Sequence, residues 1–377
     1  MEQTKIYMSP LAEVHARLSA ELVERDGWLL PASYGDVLRE YAAVREGGTG
    51  LLDLSARGRI RVSGSEAVQF LNGLITNDMK TLAENHWMPA AFPNVQGRLI
   101  ASVRVIRTQD EPNGKGASPV FLLDTEPATH ERVLKTIERF TFAGDFRVTD
   151  LTETTALLSV QGRKAGGLLA RVLGKTATEL PNESDRTIQW NGSDVLVIHA
   201  THSGEDGFDL VIAAEKAPDL WDAILAERAQ PVGLEALEML RIEAGISRHG
   251  VDIDETLVVS ETNLDEAVSF SKGCYVGQEI IARIKYRGHV AKKITGVMFE
   301  QAVKVESNAT ARSLDDKEIG RLTSVTYSPH LGLTIALALL KYQYLAAGTA
   351  IKILSGVQEL PGQVTELPFV KGSWYTS

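Results

Sequence analysis

Hydrophobic positions recur along the chain with the two periods that mark helices and strands. Helices are expected where apolar side chains return every three or four residues, at 11–25, 37–44, 65–75, 126–140, 218–228 and 234–244. Short apolar runs at 51–54, 59–62, 120–123 and 156–160, and two more within 92–107, predict strands. The order strand, helix, strand, strand, helix over residues 51–140 is typical of a ferredoxin-like α+β unit.

The last quarter of the chain has a different pattern. Apolar runs at 294–299, 319–326, 334–340 and 350–354 have glycine and a Ser-Pro pair in or between them. Short strands with turn residues at this spacing predict a small antiparallel β-barrel. A polar stretch at 149–155, just before the strand at 156–160, indicates that the chain changes domain there.

The helix expected at 234–244 carries a charge on its apolar side. Its apolar stripe is formed by Leu234, Leu237, Leu240 and Ala244. By the 100° step of an α-helix, Arg241 falls inside that stripe. An unpaired buried charge is very costly, so this guanidinium needs a partner. Two interpretations stay open: an internal ion pair, for example with Glu205 or Asp206, or a cation aimed at a planar acceptor in a central pocket.

Composition and charge narrow the class of protein. A chain of 377 residues with 44% hydrophobic and 23% charged residues is expected to form two or three globular domains. A net charge of −10 argues against general nucleic-acid binding. A single cysteine excludes an internal disulfide and a self-contained cluster or metal site of several cysteines. Because the sequence shows neither a signal-peptide core nor an apolar run of membrane-spanning length, we expect a cytoplasmic protein without a membrane partner.

The only cysteine lies in the string Ser-Lys-Gly-Cys-Tyr-Val-Gly-Gln-Glu at 271–279. Lys272 is close enough in sequence to lower the pKa of the Cys274 thiol, and the thiolate is the reactive form. Glu279 would then tune or cap the same site. The alternative is a buried free cysteine, with Lys272 and Glu279 as solvated surface residues. A basic run follows, in which Arg283, Lys285 and Arg287 alternate as in a strand. Two interpretations stay open for it: a cationic face for an anion such as the glutamate tail of a folate, or a solvated basic hairpin.

This string resembles the K-G-C-[YF]-x-G-Q-E signature of the YgfZ-type folate-binding proteins, in the superfamily of the glycine-cleavage T-protein. The segments S-G-E-D-G-F at 203–208 and L-R-I-E-A-G at 240–245 are similar to two further T-protein motifs. The resemblance implies a three-domain α+β ring with a folate in its central hole. The expected domains are 1–50 with 150–240, the ferredoxin-like 51–149 with 241–290, and the barrel 291–377. Tetrahydrofolate or a derivative is the cofactor implied, held by Glu205, Arg241, Ser102 and His202.

The chain departs from the T-protein pattern in its chemistry. T-proteins carry two carboxylates after a glycine turn, where this chain has Ala101 and Ser102, and His202 replaces a tyrosine of the family. A methyl or hydroxyl group cannot take a proton at neutral pH as a carboxylate can. We therefore expect no aminomethyl transfer, but a folate-binding factor that supports iron–sulfur cluster assembly or repair with Cys274 as its reactive thiol.

Folate and iron–sulfur client or assembly proteins are the partners this implies. The alternative is a tetrahydrofolate-dependent aminomethyltransferase or demethylase, in which another carboxylate, such as Asp53 or Asp78, substitutes for the missing pair. A scaffold that has lost its ligand is a third possibility, against which Glu205 and Arg241 speak.

Overall fold

The computed structural model describes residues 6–112, 116–139 and 144–375. Its strands form a three-stranded sheet, a six-stranded sheet, a five-stranded sheet and a closed barrel. Among the described residues, no helix has the length and apolar character needed to cross a membrane.

The chain begins with a small sheet of order β1-β3-β2 and two helices. Its elements are β1 (Tyr7–Met8), α1 (Ala12–Arg17), β2 (Glu21–Arg25), β3 (Trp28–Ser33) and α2 (Val37–Arg45). The prediction of one helix over 11–25 is wrong, because α1 stops at Arg17 and the chain then enters strand β2. The side chains on both faces of β2 are largely exposed, so its sequence lacks the apolar–polar alternation that predicts a strand. The Asp26-Gly27 turn, with both residues at positive φ, joins β2 to β3 as a two-residue hairpin.

The six-stranded sheet has the order β11-β12-β13-β10-β4-β14. Its strands are β4 (Gly50–Asp53), β10 (Thr155–Gln161), β11 (Asp185–Trp190), β12 (Ser193–His199), β13 (Gly207–Ala213) and β14 (Gln230–Pro231). Helices α5 (Ala165–Leu173), α6 (Ala217–Ala226) and α7 (Leu234–Glu243) belong to the same stretch of chain. Trp221 and Phe208 lie in the buried core between this sheet and its helices. In the sequence, β4 precedes the strands of the five-stranded sheet, whereas β10 to β14 follow them. Two separate chain segments therefore form the six-stranded sheet.

The five-stranded sheet is antiparallel, with the order β6-β7-β8-β5-β9. Its elements are β5 (Gly58–Ser63), α3 (Ala67–Leu74), β6 (His86–Pro93), β7 (Leu99–Pro112), β8 (Ala117–Thr125), α4 (Pro127–Glu138) and β9 (Arg147–Asp150). The elements expected over 59–140 are present here, but the strand expected at 51–54 is β4 of the six-stranded sheet, and β9 adds a strand beside β5. Phe140, the last residue of the helix predicted at 126–140, lies outside the described residues.

A helix and the barrel complete the chain. α8 (Gln278–Arg287) corrects the strand-like interpretation of the basic run, whose residues 283, 285 and 287 are helical. The barrel closes in the order β15-β18-β17-β16-β19-β20 through antiparallel pairs, as predicted. Its strands are β15 (Lys292–Met298), β16 (Thr310–Arg312), β17 (Glu318–Ser328), β18 (Leu333–Lys341), β19 (Ala350–Ser355) and β20 (Gln358–Thr365). α7 packs against α2, β3 and β17, and so stands between the parts of the molecule.

Candidate functional site

A cavity of about 150 Å³ lies beside α7, where β3, β4 and the β8–α4 connection meet. Its apolar lining includes Leu30, Leu54, Leu234, Leu237 and Ile246. Its charged or titratable lining consists of Arg25, Asp26, Asp53, Arg57, Glu126, His202, Glu238, Arg241 and Arg248. Apolar walls with a few convergent polar groups are the usual make-up of a small-molecule site. These residues come from distant parts of the chain, and only the fold brings them together.

Arg241 joins this cavity to the barrel. Its side chain is 7% exposed, and its Nη1 donates to Asp252 Oδ2 at 2.6 Å. Its Nη2 donates to Ser324 Oγ at 2.6 Å and to Glu238. Burial alone would lower the pKa of Arg241, but the carboxylates of Asp252 and Glu238 raise it. The buried Nε has no hydrogen-bond partner among the described residues.

The ion-pair interpretation of Arg241 is therefore right, but its predicted partners are wrong. Glu205 pairs with Arg45 instead, and Asp206 accepts a bond from His199 at 2.6 Å. A helical pattern places Arg241 on a buried face, whereas its partners on β17 and in the loop after α7 are set by packing.

Glu126 is a cavity residue that the sequence analysis missed. It stands between β8 and α4, directly before Pro127 at the start of the helix. Ser102 Oγ donates to its Oε1 at 3.4 Å, and the His249 N–H donates to its Oε2 at 3.0 Å. Burial raises the pKa of this carboxyl group, although Arg57 opposes the shift. The signal that could have found it is an acidic residue between an apolar strand and a proline that begins a helix.

His202 begins a chain of buried ionic contacts beside the cavity. Its Nε2 donates to Asp209 at 2.9 Å, and Arg104 bridges Asp209 at 2.5 Å and Asp124 at 2.8 Å. Arg57 then binds Asp124 through two nitrogens, at 2.7 and 3.1 Å. Burial works against ionisation of both aspartates, but the surrounding cations hold their pKa values below the usual range. Two residues that line the cavity, His202 and Arg57, are thus held at the ends of a network of paired charges.

The two carboxylates considered as substitutes lie in different places. Asp53 lines the cavity, but its oxygens accept bonds from Ser9, from His15 Nε2 at 2.8 Å and from the Ser55 N–H at 2.9 Å. Burial opposes ionisation of Asp53, yet these donors lower its pKa. Asp78 is not among the residues that line the cavity.

Glu205 lies in a separate cleft, away from the other predicted folate residues. Its Oε1 accepts from Arg45 Nη1 at 2.5 Å, and its Oε2 accepts from the N–H and Oγ of Ser373 at 2.8 and 2.6 Å. Arg45 also donates from Nε to Glu243 at 3.0 Å. The structure therefore brings Arg241, His202 and, through Glu126, Ser102 to the cavity, while Glu205 holds the C-terminal segment. Its role in folate binding stays a prediction, against which the occupation of both its oxygens by Arg45 and Ser373 argues.

The cysteine string lies at the surface near the β6–β7 turn. Cys274 is exposed, so its interpretation as a buried residue is wrong. Gly277 has φ +77° and a Cβ there would come within 2.4 Å of the Asn94 carbonyl, so this second glycine is needed for close approach. Glu279 is exposed and pairs with Arg283 at 2.8 Å.

Lys272 is buried and points at the end of α3. Its Nζ donates to the carbonyls of Asn72, Ile75 and Asn77 at 2.8, 2.8 and 2.6 Å. Burial lowers the pKa of Lys272 to about 8. All three protons of the ammonium group are thus used on main-chain oxygens. Its predicted influence on the Cys274 thiol remains a prediction.

The chain matches known proteins over almost its whole length. The model of the GCVT N-terminal domain matches residues 11–272, and that of the glycine cleavage T-protein C-terminal barrel domain matches residues 292–371. An aminomethyltransferase of Thermotoga neapolitana is 30% identical, with 97% of this chain and 98% of the relative covered. One from Chlorobium phaeovibrioides is 28% identical, with 96% and 98% covered.

A solved structure supports the same comparison. The crystal structure of glycine cleavage system aminomethyltransferase T from Bartonella henselae matches with a TM-score of 0.89 and 24% identity, covering 97% of this chain and 98% of that one. The predicted fold, an α+β ring of T-protein type with a C-terminal antiparallel barrel, is therefore confirmed.

Proposed function

We propose, from the premise that this chain belongs to the glycine-cleavage T-protein family, that its central cavity binds tetrahydrofolate. Aminomethyltransferases of this family use tetrahydrofolate, the cofactor expected from the sequence. The observation that carries the proposal is the cavity itself, where apolar walls meet an unpartnered arginine N–H and a half-buried carboxyl group.

The residues present fit a pterin. The 2-amino-4-oxo edge of the ring offers N–H donors and an oxygen acceptor, which a carboxylate and a guanidinium match. Glu126 Oε1 supplies the acceptor, and Arg241 Nε supplies an unpartnered donor. Leu30, Leu54 and Leu237 supply apolar contacts for the ring faces.

Two arginine side chains at the cavity fit the acidic glutamate tail of a folate. Arg25 and Arg248 both line the cavity and are partly exposed. Burial and the neighbouring charge of Arg248 lower the pKa of Arg25, so the two guanidinium groups repel one another. The carboxylate of a glutamate tail placed between them would relieve that repulsion.

Aminomethyl transfer is the chemistry that the relatives support better. The two proteins named aminomethyltransferase align with 97% and 96% of this chain and with 98% of their own length. Bound tetrahydrofolate supplies the nitrogen nucleophiles for such a transfer. This chain's residues would orient the pterin, exclude water from it and hold a proton beside its N–H groups. Ala101 and Ser102 leave the last of these tasks to another carboxyl group in the cavity.

Support of iron–sulfur proteins is the second candidate function. The exposed thiol of Cys274, in the string that resembles the YgfZ-type signature, favours it. One thiolate cannot hold a cluster alone, so a client or assembly protein would have to complete the coordination. Among the described residues, no group of three His, Cys, Asp or Glu side chains is placed to bind a metal.

Calorimetric titration tests the binding proposal. We expect tetrahydrofolate to bind the native protein, and Arg248→Met to weaken that binding by about tenfold through loss of a charge-assisted contact. A tetrahydropterin without the glutamate tail should bind the native protein and Arg248→Met equally well. Arg163→Met, at an exposed arginine outside the cavity, is the matched control. No heat of binding with the native protein would refute the proposal.

Two further assays separate the candidate chemistries. Turnover of an aminomethyl-lipoyl carrier by the native protein supports transfer. Its absence, together with loss of iron–sulfur enzyme activity in cells that carry only Cys274→Ala, favours the second candidate.

A further inference from the structure

Glu126 lies where the chain lacks its expected carboxylates. Ala101 and Ser102 occupy those positions on β7, and Ser102 Oγ donates a long hydrogen bond of 3.4 Å to Glu126 Oε1. We infer that Glu126 is the proton-handling carboxyl group of the central cavity and that it acts on an N–H of a bound reduced pterin. This inference rests on the proposed function and assigns one of its roles to a residue at the start of α4.

The hydrogen bonds of Glu126 leave one oxygen available. Its Oε2 accepts the His249 main-chain N–H at 3.0 Å, which fixes the orientation of the carboxyl group. Among the described residues, its Oε1 receives only the long contact from Ser102, although a carboxylate oxygen has two lone pairs. Since Glu126 lines the cavity, Oε1 is the atom able to meet a ligand N–H.

The other acidic groups of the cavity are placed differently. Asp53 is held by Ser9, His15 and Ser55, and Glu238 is bound to Arg241 and Arg248. These contacts lower the pKa values of both groups against the effect of burial, so they stay ionised. Burial shifts the pKa of Glu126 in the opposite direction. Carboxyl groups with pKa values pushed apart in one site take different roles, and the group whose pKa is raised is the better proton acceptor.

The titration of Glu126 depends on several charged neighbours. Arg57, Arg248 and Arg241 oppose protonation, as does the His249 N–H. The remaining charged or titratable groups of the cavity and its rim are Arg25, Asp26, Asp53, His202, Glu238 and the His249 ring. The His249 pKa is lowered by burial, so this ring is neutral beside the site at neutral pH.

The step assigned to Glu126 is a proton transfer alone. Glu126 takes the proton from a ligand nitrogen that has become cationic on forming a new bond: the N–H bond breaks, its electron pair stays on nitrogen, and an O–H bond forms at Oε1. In the bound state that precedes it, the ionised carboxylate accepts the N–H hydrogen bond. The protonated form of free Glu126 must therefore lose its proton when the ligand binds.

The pH dependence of binding tests this role without a turnover assay. Titration of tetrahydrofolate from pH 5.5 to 8.5, in buffers of different ionisation heat, measures both Kd and proton release. With the native protein we expect proton release on binding at the acidic end, and a Kd that weakens by up to about tenfold per pH unit there. The pKa of a free glutamate side chain is about 4.3, which lies below this pH range.

Glu126→Gln keeps the size of the side chain and removes the titrating proton. We expect it to weaken binding by about tenfold at pH 8 and to abolish the acidic pH dependence and the proton release. Ser102→Ala removes the donor to Oε1 and should move the midpoint to higher pH. Glu131→Gln, at an exposed glutamate of α4, is the matched control and should follow the native profile.

The outcomes separate this inference from the proposed function. Tetrahydrofolate binding with the same pH profile and proton release in native protein and Glu126→Gln would overturn the inference alone. No binding by the native protein would overturn the proposed function, and the inference with it.

Discussion

We expect Glu205→Gln to lower the stability of this protein while leaving its affinity for tetrahydrofolate unchanged. The native carboxylate accepts a bond from Arg45 at 2.5 Å and two from Ser373 at 2.8 and 2.6 Å. Glutamine keeps an acceptor oxygen for Ser373, but it loses the charge and turns an amide toward the guanidinium. The perturbation therefore removes one ionic contact and little volume.

The buried position of this pair sets the magnitude. The side chains of Arg45 and Glu205 are only 2% and 7% exposed. Burial alone would lower the pKa of Arg45, but Glu243 and Glu205 raise it, so the charge is strongly held. Breaking an isolated buried pair costs about 3–5 kcal/mol. Because Arg45 keeps Glu243, we expect the lower value of a lost charged hydrogen bond, about 2–3 kcal/mol.

Urea unfolding and calorimetric titration measure the two effects. Amide hydrogen exchange should also become faster in the C-terminal segment. Two contacts anchor this segment to the 203–206 loop: Ser373 binds Glu205, and the Trp374 N–H donates to the Gly204 carbonyl at 3.3 Å. Glu279→Gln, which loses only an exposed pair with Arg283, is the control and should leave all three readouts unchanged. A Glu205→Gln variant that is as stable as the native protein but binds folate more than tenfold more weakly would contradict this prediction and show that Glu205 contacts the ligand.

Three further predictions follow from single residues. Lys272→Met removes three donors from carbonyls at the end of α3 and should cost about 2–3 kcal/mol in urea unfolding, whereas exposed Lys135→Met should cost nothing measurable. Asp185 is buried without a hydrogen-bond partner for its carboxylate oxygens among the described residues, and burial and Glu84 raise its pKa to about 7. The folded state thus binds the proton more tightly than the unfolded one, so this contribution to stability is full below about pH 4 and is lost as pH rises to 7, by about 1.4 kcal/mol per unit. Asp185→Asn should remove this dependence, so an unchanged slope of stability against pH would contradict it. Exposed Cys274 should alkylate in the folded protein, and Cys274→Ala should keep the native unfolding midpoint; a thiol that reacts only in denaturant would refute this.

Local patterns in the sequence predicted the elements that bury apolar residues. The sequence of β5 alternates, whereas β8, β10 and the barrel strand β18 are apolar runs buried on both faces. The prediction fails at Glu21–Arg25, where an exposed strand has no buried face to enforce alternation. A periodic pattern shows which face of an element is buried, so it gives no prediction for an element with neither face buried.

The site depended on tertiary structure to a much greater degree. The sequence by itself placed Arg241 on a buried face and singled out Ser102, His202 and Cys274. Only the packed chain decided that Arg241 meets Asp252 and Ser324, and that Glu126 lies beside Ser102. Only packing also turned Lys272 toward α3 and Glu205 toward Arg45. The physical reason is that burial creates a demand for a partner, while the identity of the partner depends on which distant segments the fold brings within hydrogen-bond distance.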